Sequence, residues 1–194
     1  MGEVMSSDSI PGWRCSEIEA LYSETAARLT HGVIVEVGVA YGRSLAFLAE
    51  RVAPGVQLVG VDVWREHMGG DNLDPAVFAR LVAHGTPRQA CEAELRAALT
   101  PTQFGRIELD SRGSARASED FDDGSVDLVF IDACHEYEPC LADIKAWLPK
   151  VRPGGMIAGH DYSWNMFPGV VHAVEEVFGM QRREIRGVVW RVQR

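Results

Sequence analysis

The stretch that most constrains the fold is residues 33–52, VIVEVGVAYGRSLAFLAERV, because its hydrophobic pattern changes period halfway along. It opens with an apolar, β-branched run that is typical of a strand, and then passes through small residues at Gly38, Ala40 and Gly42. Four apolar residues then recur at helical spacing, namely Leu45, Leu48, Ala49 and Val52. The stretch therefore predicts a strand, a tight turn and a helix, which together form half of a βαβ unit.

Two carboxylates flank this turn. Glu36 lies in the strand just before the turn, where a buried carboxylate is costly unless it is hydrogen-bonded, and a cofactor with hydroxyls or an ammonium group would supply such a bond. The next strand, VQLVGVDVW, brings Asp62 to its end. An acidic residue about 20 positions after a glycine turn can bind the ribose hydroxyls of a nucleotide cofactor. The turn and the two acids predict a nucleotide site.

Strand and helix patterns alternate along the rest of the chain. Residues 126–132, VDLVFID, are apolar enough for a strand that is buried on both faces, and residues 156–159 form a later strand. Two short strands near the C-terminus end the pattern as a hairpin-like pair. We therefore predict an α/β fold in one domain, residues 1–194: a Rossmann-like three-layer sandwich with a mainly parallel seven-stranded sheet and one antiparallel strand.

Helix start signals define the two regions outside this βα core. Within an N-terminal tail-and-helix region, residues 1–30, Ser16 with Glu19 predicts a capped helix over residues 16–29. Residues 65–100 form an insertion that is long for this fold, and it carries two cap signals, Asp74-Pro75 and Thr86-Pro87 with Gln89. The insertion is a candidate substrate lid, although covering one face of the sheet is an equal alternative for its second helix.

Composition excludes several functional classes. The chain has 194 residues, a formal charge of −9 and a pI near 5.1, which argues against a nucleic-acid binder because such proteins present a basic face. Apolar runs fall short of the roughly 18 residues of a membrane span. We expect a cytoplasmic protein that acts on a small molecule. The scattered cysteines predict reduced thiols: Cys15, Cys91, Cys134 and Cys140.

Acidic residues end four of the predicted strands. Because the carboxyl ends of parallel strands meet at one edge of a sheet, Glu36, Asp62, Asp132 and Asp161 should surround one crevice. Asp132 and Asp161, with His160 beside Asp161 and His135 nearby, are spaced to bind a divalent cation. Carboxylates favour Mg²⁺, and an imidazole in the set shifts the preference toward Mn²⁺ or another transition metal.

Two segments resemble a known family. Glu36, Gly38, Gly42 and Ser44 resemble the first motif of class I methyltransferases that depend on S-adenosylmethionine (SAM), especially the small-molecule O-methyltransferases of the catechol-type, cephalosporin-hydroxylase-like and macrolide-sugar group. Residues 131–162 resemble the family's metal and base region, in which His160 stands where relatives carry another acid. The resemblance covers about residues 33–180.

The resemblance assigns roles to individual residues. Asp132, His160 and Asp161 would hold a metal such as magnesium, and His135 or His160 would take a proton from the acceptor, with His135 preferred. Trp64 either lies along the adenosine or packs in the core, and Ser111 with Arg112 either contacts the base or forms a plain turn. The residues expected to contact the cofactor are Glu36, Gly38, Gly42, Ser44, Asp62, Val63, Trp64, Ser111, Arg112 and Asp132.

These features predict a SAM-dependent O-methyltransferase that acts on a hydroxyl of a sugar, macrolide or phenolic metabolite with the help of a divalent metal. Three alternatives remain open. One is a methyltransferase without a metal, with a histidine base and possible transfer to nitrogen. Another is an NAD-dependent oxidoreductase, which is disfavoured because Ala40 and Arg43 break the glycine fingerprint. The third is a non-catalytic nucleotide-binding protein. The amphipathic first helix is compatible with a homodimer.

Overall fold

The computed structural model describes residues 6–66, 73–180 and 182–194. Within them, seven strands form one sheet in the order β3-β2-β1-β4-β5-β7-β6. The strands are β1 His31–Val37, β2 Gly55–Val61, β3 Ile107–Asp110, β4 Val126–Ile131, β5 Val151–Gly159, β6 Glu184–Arg186 and β7 Val189–Gln193. Only β7 runs against its neighbours, β5 and β6, among these strands. The predicted sheet, mainly parallel with one antiparallel strand, is confirmed.

Helices cover both faces of the sheet. They are α1 Ser16–Ala26, α2 Arg43–Ala49, α3 Pro75–Ala83, α4 Pro87–Ala98, α5 Pro101–Phe104, α6 Ser114–Ser118, α7 Tyr137–Trp147 and α8 Pro168–Phe178. Short 3₁₀ turns occur at Ser7–Ser9 and Leu148–Lys150.

Alternation along the central strands divides the hydrophobic core into two layers. In β1, Ile34 packs with α1, α2 and α4 on one face, whereas Val35 and Val37 pack with α7 and α8 on the other. All three side chains are at most 1% exposed. Burial on both faces explains why the central strands have unbroken apolar runs, and it places the functional groups at the strand ends, where the runs stop.

The chain order of the strands reverses between β1 and β4, which makes a crevice at the carboxyl edge of the sheet. The two strand ends approach each other closely there. Gly38 has φ +91°, and a Cβ at this position would lie 2.0 Å from the carbonyl oxygen of Asp132. A glycine is therefore required by both backbone conformation and space, and it fixes how the β1–α2 turn sits beside the end of β4.

The N-terminal helix begins differently from the prediction. Ser16 is the first residue of α1 rather than its cap, and its hydroxyl bonds to Glu17, so the predicted Ser16 cap is wrong. Cys15 occupies the cap position without a side-chain cap bond. The helix ends at Ala26, three residues earlier than predicted, although Leu29 still packs against the core.

Elsewhere the predicted boundaries hold closely. Asp74 caps α3, and Thr86 forms a reciprocal capping box with Gln89 at the start of α4. In the insertion, α4 is a core element whose Leu95 packs against the β1–α2 turn, so this second helix covers the sheet face. The lid role of α3 stays a prediction, and residues 67–72 of the insertion lie outside the described residues.

Among the described residues, no helix combines the length and the apolar character needed to cross a membrane. The four cysteines are free thiols, with Cys91 and Cys140 buried.

Candidate functional site at the carboxyl edge of the sheet

The hydrogen bonding between neighbouring strands continues through the first residue after each strand, and this holds the acidic residues in place. The Asp62 N–H donates to the Asp110 carbonyl at 3.0 Å, and the Asp132 N–H donates to the Val37 carbonyl at 2.7 Å. The His160 N–H donates to the Ile131 carbonyl at 3.1 Å. The side chains that follow β1, β2, β4 and β5 are therefore fixed along one edge, as the sequence predicts.

Glu36 is buried and fully bonded within the protein. The residue is 1% exposed. Its Oε2 accepts a hydrogen bond from the Tyr22 hydroxyl at 2.6 Å, and its Oε1 accepts one from the Ser44 hydroxyl at 2.7 Å. Burial raises the pKa of Glu36 to about 7, while the bonds from Tyr22 and Ser44 oppose that rise. The protein itself thus supplies the bonds that we expected from a cofactor.

Asp62 organises the glycine turn. Its Oδ2 accepts from the backbone N–H groups of Val39 and Ala40, each at 2.9 Å, and its Oδ1 accepts from the Trp64 N–H at 2.8 Å. A carboxylate oxygen can accept two hydrogen bonds, so with one bond from the described residues Oδ1 could accept a further donor, such as a ribose hydroxyl. The carboxylate consequently connects the two predicted halves of the nucleotide site, the turn after β1 and the end of β2.

Trp64 joins the core rather than presenting its ring to the crevice. Its residue is 8% exposed, and the indole Nε1–H donates to the Ala40 carbonyl at 2.8 Å. Val63, by contrast, is 43% exposed, so of the two residues that follow Asp62 it is the one whose side chain a ligand can contact. The core alternative for Trp64 is the one that the structure shows.

Among the residues that the structure describes, three other than glycine have left-handed backbone conformations, and all three lie at this edge. They are Ala40 with φ 49°, Trp64 with φ 40° and Asp161 with φ 60°. Such conformations cost about 1–3 kcal/mol each and persist where surrounding contacts impose them. Bonds from Asp62 and Trp64 impose the first two, and the histidine contacts described next hold the third.

Asp161 joins the two candidate histidines. Its Oδ2 lies 2.8 Å from His135 Nε2, and its Oδ1 lies 3.0 Å from His160 Nδ1. His160 Nδ1 is also 3.8 Å from Asp132 Oδ1. The four residues that the sequence assigns to metal binding and proton transfer therefore form one connected cluster after β4 and β5.

Burial and the charges of neighbouring groups shift the pKa values of the four residues in this cluster. Burial raises the pKa of Asp132 to about 6, which the nearby histidines oppose. The bond to Asp161 raises the pKa of His135 above its usual value, against the effect of burial. Burial alone would raise the pKa of Asp161, yet its bonds to His135 and His160 hold it well below the usual range. Burial lowers the pKa of His160, but the Asp161 bond and the Asp132 charge outweigh it.

The donor set suits a divalent cation. Asp132, His135 and Asp161 each offer one ligand atom, and these atoms lie within 4.8 Å of one another. Two carboxylates and an imidazole fit Mn²⁺ or a similar transition metal better than Mg²⁺, which prefers oxygen ligands alone. His135, which the sequence suggested as a base, is thus also positioned as a ligand.

The thiol of Cys15 extends the cluster on its other side. Its Sγ lies 3.6 Å from His160 Nε2, at the start of α1. With Nδ1 facing Asp161, both nitrogens of His160 already have partners, which leaves His135 as the better placed of the two histidines to receive a proton. Sequence reasoning missed this contact because residue 15 is far from residue 160 in the chain.

Ser111 and Arg112 stand apart from these clusters. Ser111 is exposed, and the Arg112 guanidinium pairs with Asp110 at 2.6 Å and with Asp120 at 2.5 Å. Their predicted contact with the adenine ring stays a prediction, although the structure shows the features of a surface turn here.

Tyr22 is the second residue that sequence reasoning missed, because it lies within the predicted helix of residues 16–29 rather than at a strand end. A signal for it exists in the sequence. A buried tyrosine hydroxyl needs a hydrogen-bond partner, and the neighbouring strand offers a buried carboxylate at Glu36.

Comparisons with known proteins agree with this geometry. Residues 35–162 match the family model described as a methyltransferase domain. A curated relative, the uncharacterized protein y4gI of Sinorhizobium fredii (strain NBRC 101917 / NGR234), is 30% identical over 133 residues, which are 66% of this chain and 13% of that protein. The chain thus spans about one eighth of the length of this relative.

Two solved structures show the same fold. CalS11, a TDP-rhamnose 3′-O-methyltransferase of calicheamicin biosynthesis, superposes with a TM-score of 0.59 at 20% identity, over 91% of this chain and 76% of CalS11. An O-methyltransferase from Bacillus cereus in complex with SAH superposes with a TM-score of 0.62 at 16% identity, over 97% of this chain and 86% of that one.

Proposed function

The chain belongs to the methyltransferase-domain family, and from this premise we propose that it transfers a methyl group from SAM to a hydroxyl of a small metabolite. The acceptor class is a sugar-bearing, macrolide or phenolic compound. CalS11 is named as a TDP-rhamnose 3′-O-methyltransferase and the Bacillus cereus enzyme was solved with SAH, which supports this class of acceptor and donor. Net charge and the acidic edge support a small-molecule acceptor over nucleic acid.

One observation carries this proposal: a histidine paired with a carboxylate lies at the same sheet edge as the glycine turn. His135 Nε2 is 2.8 Å from Asp161, and Asp132, which begins the same loop, lies against Gly38 of the turn. A cofactor bound at the turn would therefore have its reactive end near a group able to accept a proton.

The proposed reaction needs a group that takes the proton of the acceptor hydroxyl. With the Nε2–H of His135 donated to Asp161, Nδ1 keeps its lone pair and accepts the proton of the acceptor hydroxyl. The oxygen then attacks the methyl carbon in line as the carbon–sulfur bond breaks, which gives a methyl ether, SAH and a protonated His135. Asp161 orients the imidazole and stabilises its positive charge, as the carboxylate of a catalytic triad does.

Asp132 and Asp161 would also hold a divalent cation, with His160 or His135 as the imidazole ligand. A bound metal would supply a lower pKa for a coordinated acceptor hydroxyl. The 2.8 Å pairing of His135 with Asp161 favours a second candidate, a methyltransferase whose histidine base works without a metal. Both candidates use the same cofactor site.

The test is a methyl-transfer assay with isotopically labelled SAM. Purified protein is incubated with a panel of catechols, flavonoids, macrolides and glycosides, and methylated products and SAH are identified by mass spectrometry. Each active pair is repeated after EDTA treatment, with and without added Mg²⁺ or Mn²⁺. We expect a methyl ether from at least one hydroxylated acceptor.

Two results would change this conclusion. Calorimetric binding of NAD but not SAM would contradict the methyltransferase proposal itself. An undiminished rate after chelation would remove the metal and leave the histidine base as the mechanism.

A further inference from the structure

The helix α1 lies outside the segment that matches the family, residues 35–162, yet it reaches the centre of the cofactor site. We propose that Tyr22 of α1 is a positioning residue for the cofactor, which acts through Glu36 and makes the site select the cationic SAM over the neutral product SAH. This inference rests on the proposed function, since it concerns the affinity for that cofactor.

The hydroxyl of Tyr22 has a fixed direction. The residue is fully buried, and its ring packs edge-to-face on Phe130 with 5.3 Å between the centroids. From there the hydroxyl donates to Glu36 Oε2 at 2.6 Å. Water cannot replace this partner in a buried site, so the loss of either group leaves the other without its bond.

Glu36 is surrounded by groups that disfavour its negative charge. Asp62 at the end of β2 and Asp132 at the end of β4 repel it. Its donors are the hydroxyls of Tyr22 and Ser44. Burial already raises the pKa of Glu36 to about 7, and the loss of one donor would raise it further and so favour the neutral carboxyl.

The charge of Glu36 matters more for SAM than for SAH. SAM carries a sulfonium, an ammonium and a carboxylate, hence one net positive charge, whereas SAH lacks the sulfonium and is neutral overall. An ionised Glu36 directly beneath the turn attracts the first more strongly than the second. Tyr22 thereby favours binding of the donor and release of the product.

The experiment measures the affinity of the full chain for both ligands by titration calorimetry at pH 7.5, in the wild type and in Tyr22→Phe. The substitution removes one oxygen and keeps the ring. We expect the Kd for SAM to rise roughly fivefold to tenfold and that for SAH by less than about twofold, the size expected when a charged group loses one hydrogen bond.

Two further variants separate this role from general packing. Thr25→Val is the matched control, because it removes a hydroxyl one turn along the same helix, where the Thr25 hydroxyl donates to the Leu21 carbonyl. It should leave both affinities unchanged. Glu36→Gln removes the charge, so Tyr22→Phe in that background should add little to the loss of SAM affinity.

The outcomes are distinct. Equal losses for SAM and SAH in Tyr22→Phe, or an unreduced effect of Tyr22→Phe in the Glu36→Gln background, would overturn the positioning role and leave the proposed function intact. A wild-type chain that binds neither ligand would overturn the proposed function, and this inference with it.

Discussion

The two halves of the crevice treat their carboxylates in opposite ways. At the ends of β1 and β2, Glu36 and Asp62 accept five hydrogen bonds from hydroxyls and backbone N–H groups of the protein itself. At the ends of β4 and β5, Asp132 and Asp161 face each other and two histidines. The first half is therefore a built framework, while the second is a set of titratable groups whose charges depend on one another.

This difference predicts a division of labour. Neutral donors with fixed directions shape a binding site before the ligand arrives, because nothing has to move or change protonation. Coupled acids and bases, in contrast, suit proton transfer, since small changes in one group alter the pKa of the next. Substitutions in the first half should change cofactor affinity, and those in the second should change turnover.

The largest effect should follow from His135→Gln, which removes the proton acceptor. We expect kcat to fall by roughly 10²- to 10⁴-fold, the usual contribution of a general base, with the Kd for SAM unchanged. Single-turnover product formation and calorimetry measure the two quantities. His172→Gln is the control, since this exposed histidine of α8 contacts Trp164 rather than the cluster. Similar losses of SAM affinity and turnover in His135→Gln would contradict the division.

The next largest effect should come from Asp62→Asn. The carboxylate accepts hydrogen bonds from three backbone N–H groups, and the substitution replaces one of its two accepting oxygens with an NH₂ group. We expect the Kd for SAM to rise about tenfold to thirtyfold and the turnover at saturating SAM to stay within about threefold of wild type. Asp127→Asn is matched to it, because Asp127 accepts from the Val33 N–H at the opposite end of the same sheet. That control should lower the melting temperature without weakening SAM binding.

The pH dependence should sharpen the comparison further. A base works when it is deprotonated, so the rate should rise with pH through the pKa of His135, which Asp161 raises above its usual value of 6.5. Asp161→Asn weakens that bond, and the midpoint of the pH–rate profile should therefore move to lower pH. The profile is measured with saturating SAM. An unshifted midpoint would mean that another group controls the rate.

The sequence was informative where local patterns determine structure. The period change at residues 33–52 and the apolar strands predicted the sheet, and the strand ends predicted which acids would meet. The partners of those acids come from distant parts of the chain. Tyr22 and Cys15 reach Glu36 and His160 only because α1 packs across the edge of the crevice, a tertiary contact that has no periodic signal.

The ring of Trp64 illustrates the same limit. A tryptophan after a strand-end acid fits an adenosine contact as well as a core position, and only its bond to the Ala40 carbonyl distinguishes the two. The Ser16 cap was wrong for a related reason. Serine is the better cap by residue type, but Cys15 occupies the cap position, and its thiol lies against His160 from a distant part of the chain.

The smallest effect tests whether α1 also contributes to the half of the crevice that is formed by Asp132, Asp161 and the two histidines. A thiol is a weak donor, so Cys15→Ala should lower kcat only about twofold to fivefold, by loosening His160 and with it Asp161, while the Kd for SAM stays constant. Cys15→Ser keeps a donor at the same position and should retain most of the activity. Cys140→Ala is the comparison, because this buried thiol of α7 packs in the core and its loss should reduce stability without reducing kcat. If Cys15→Ser and Cys15→Ala lost activity equally, the contact with His160 would serve packing alone. The region around α1 would then affect only the half of the crevice formed by Glu36 and Asp62.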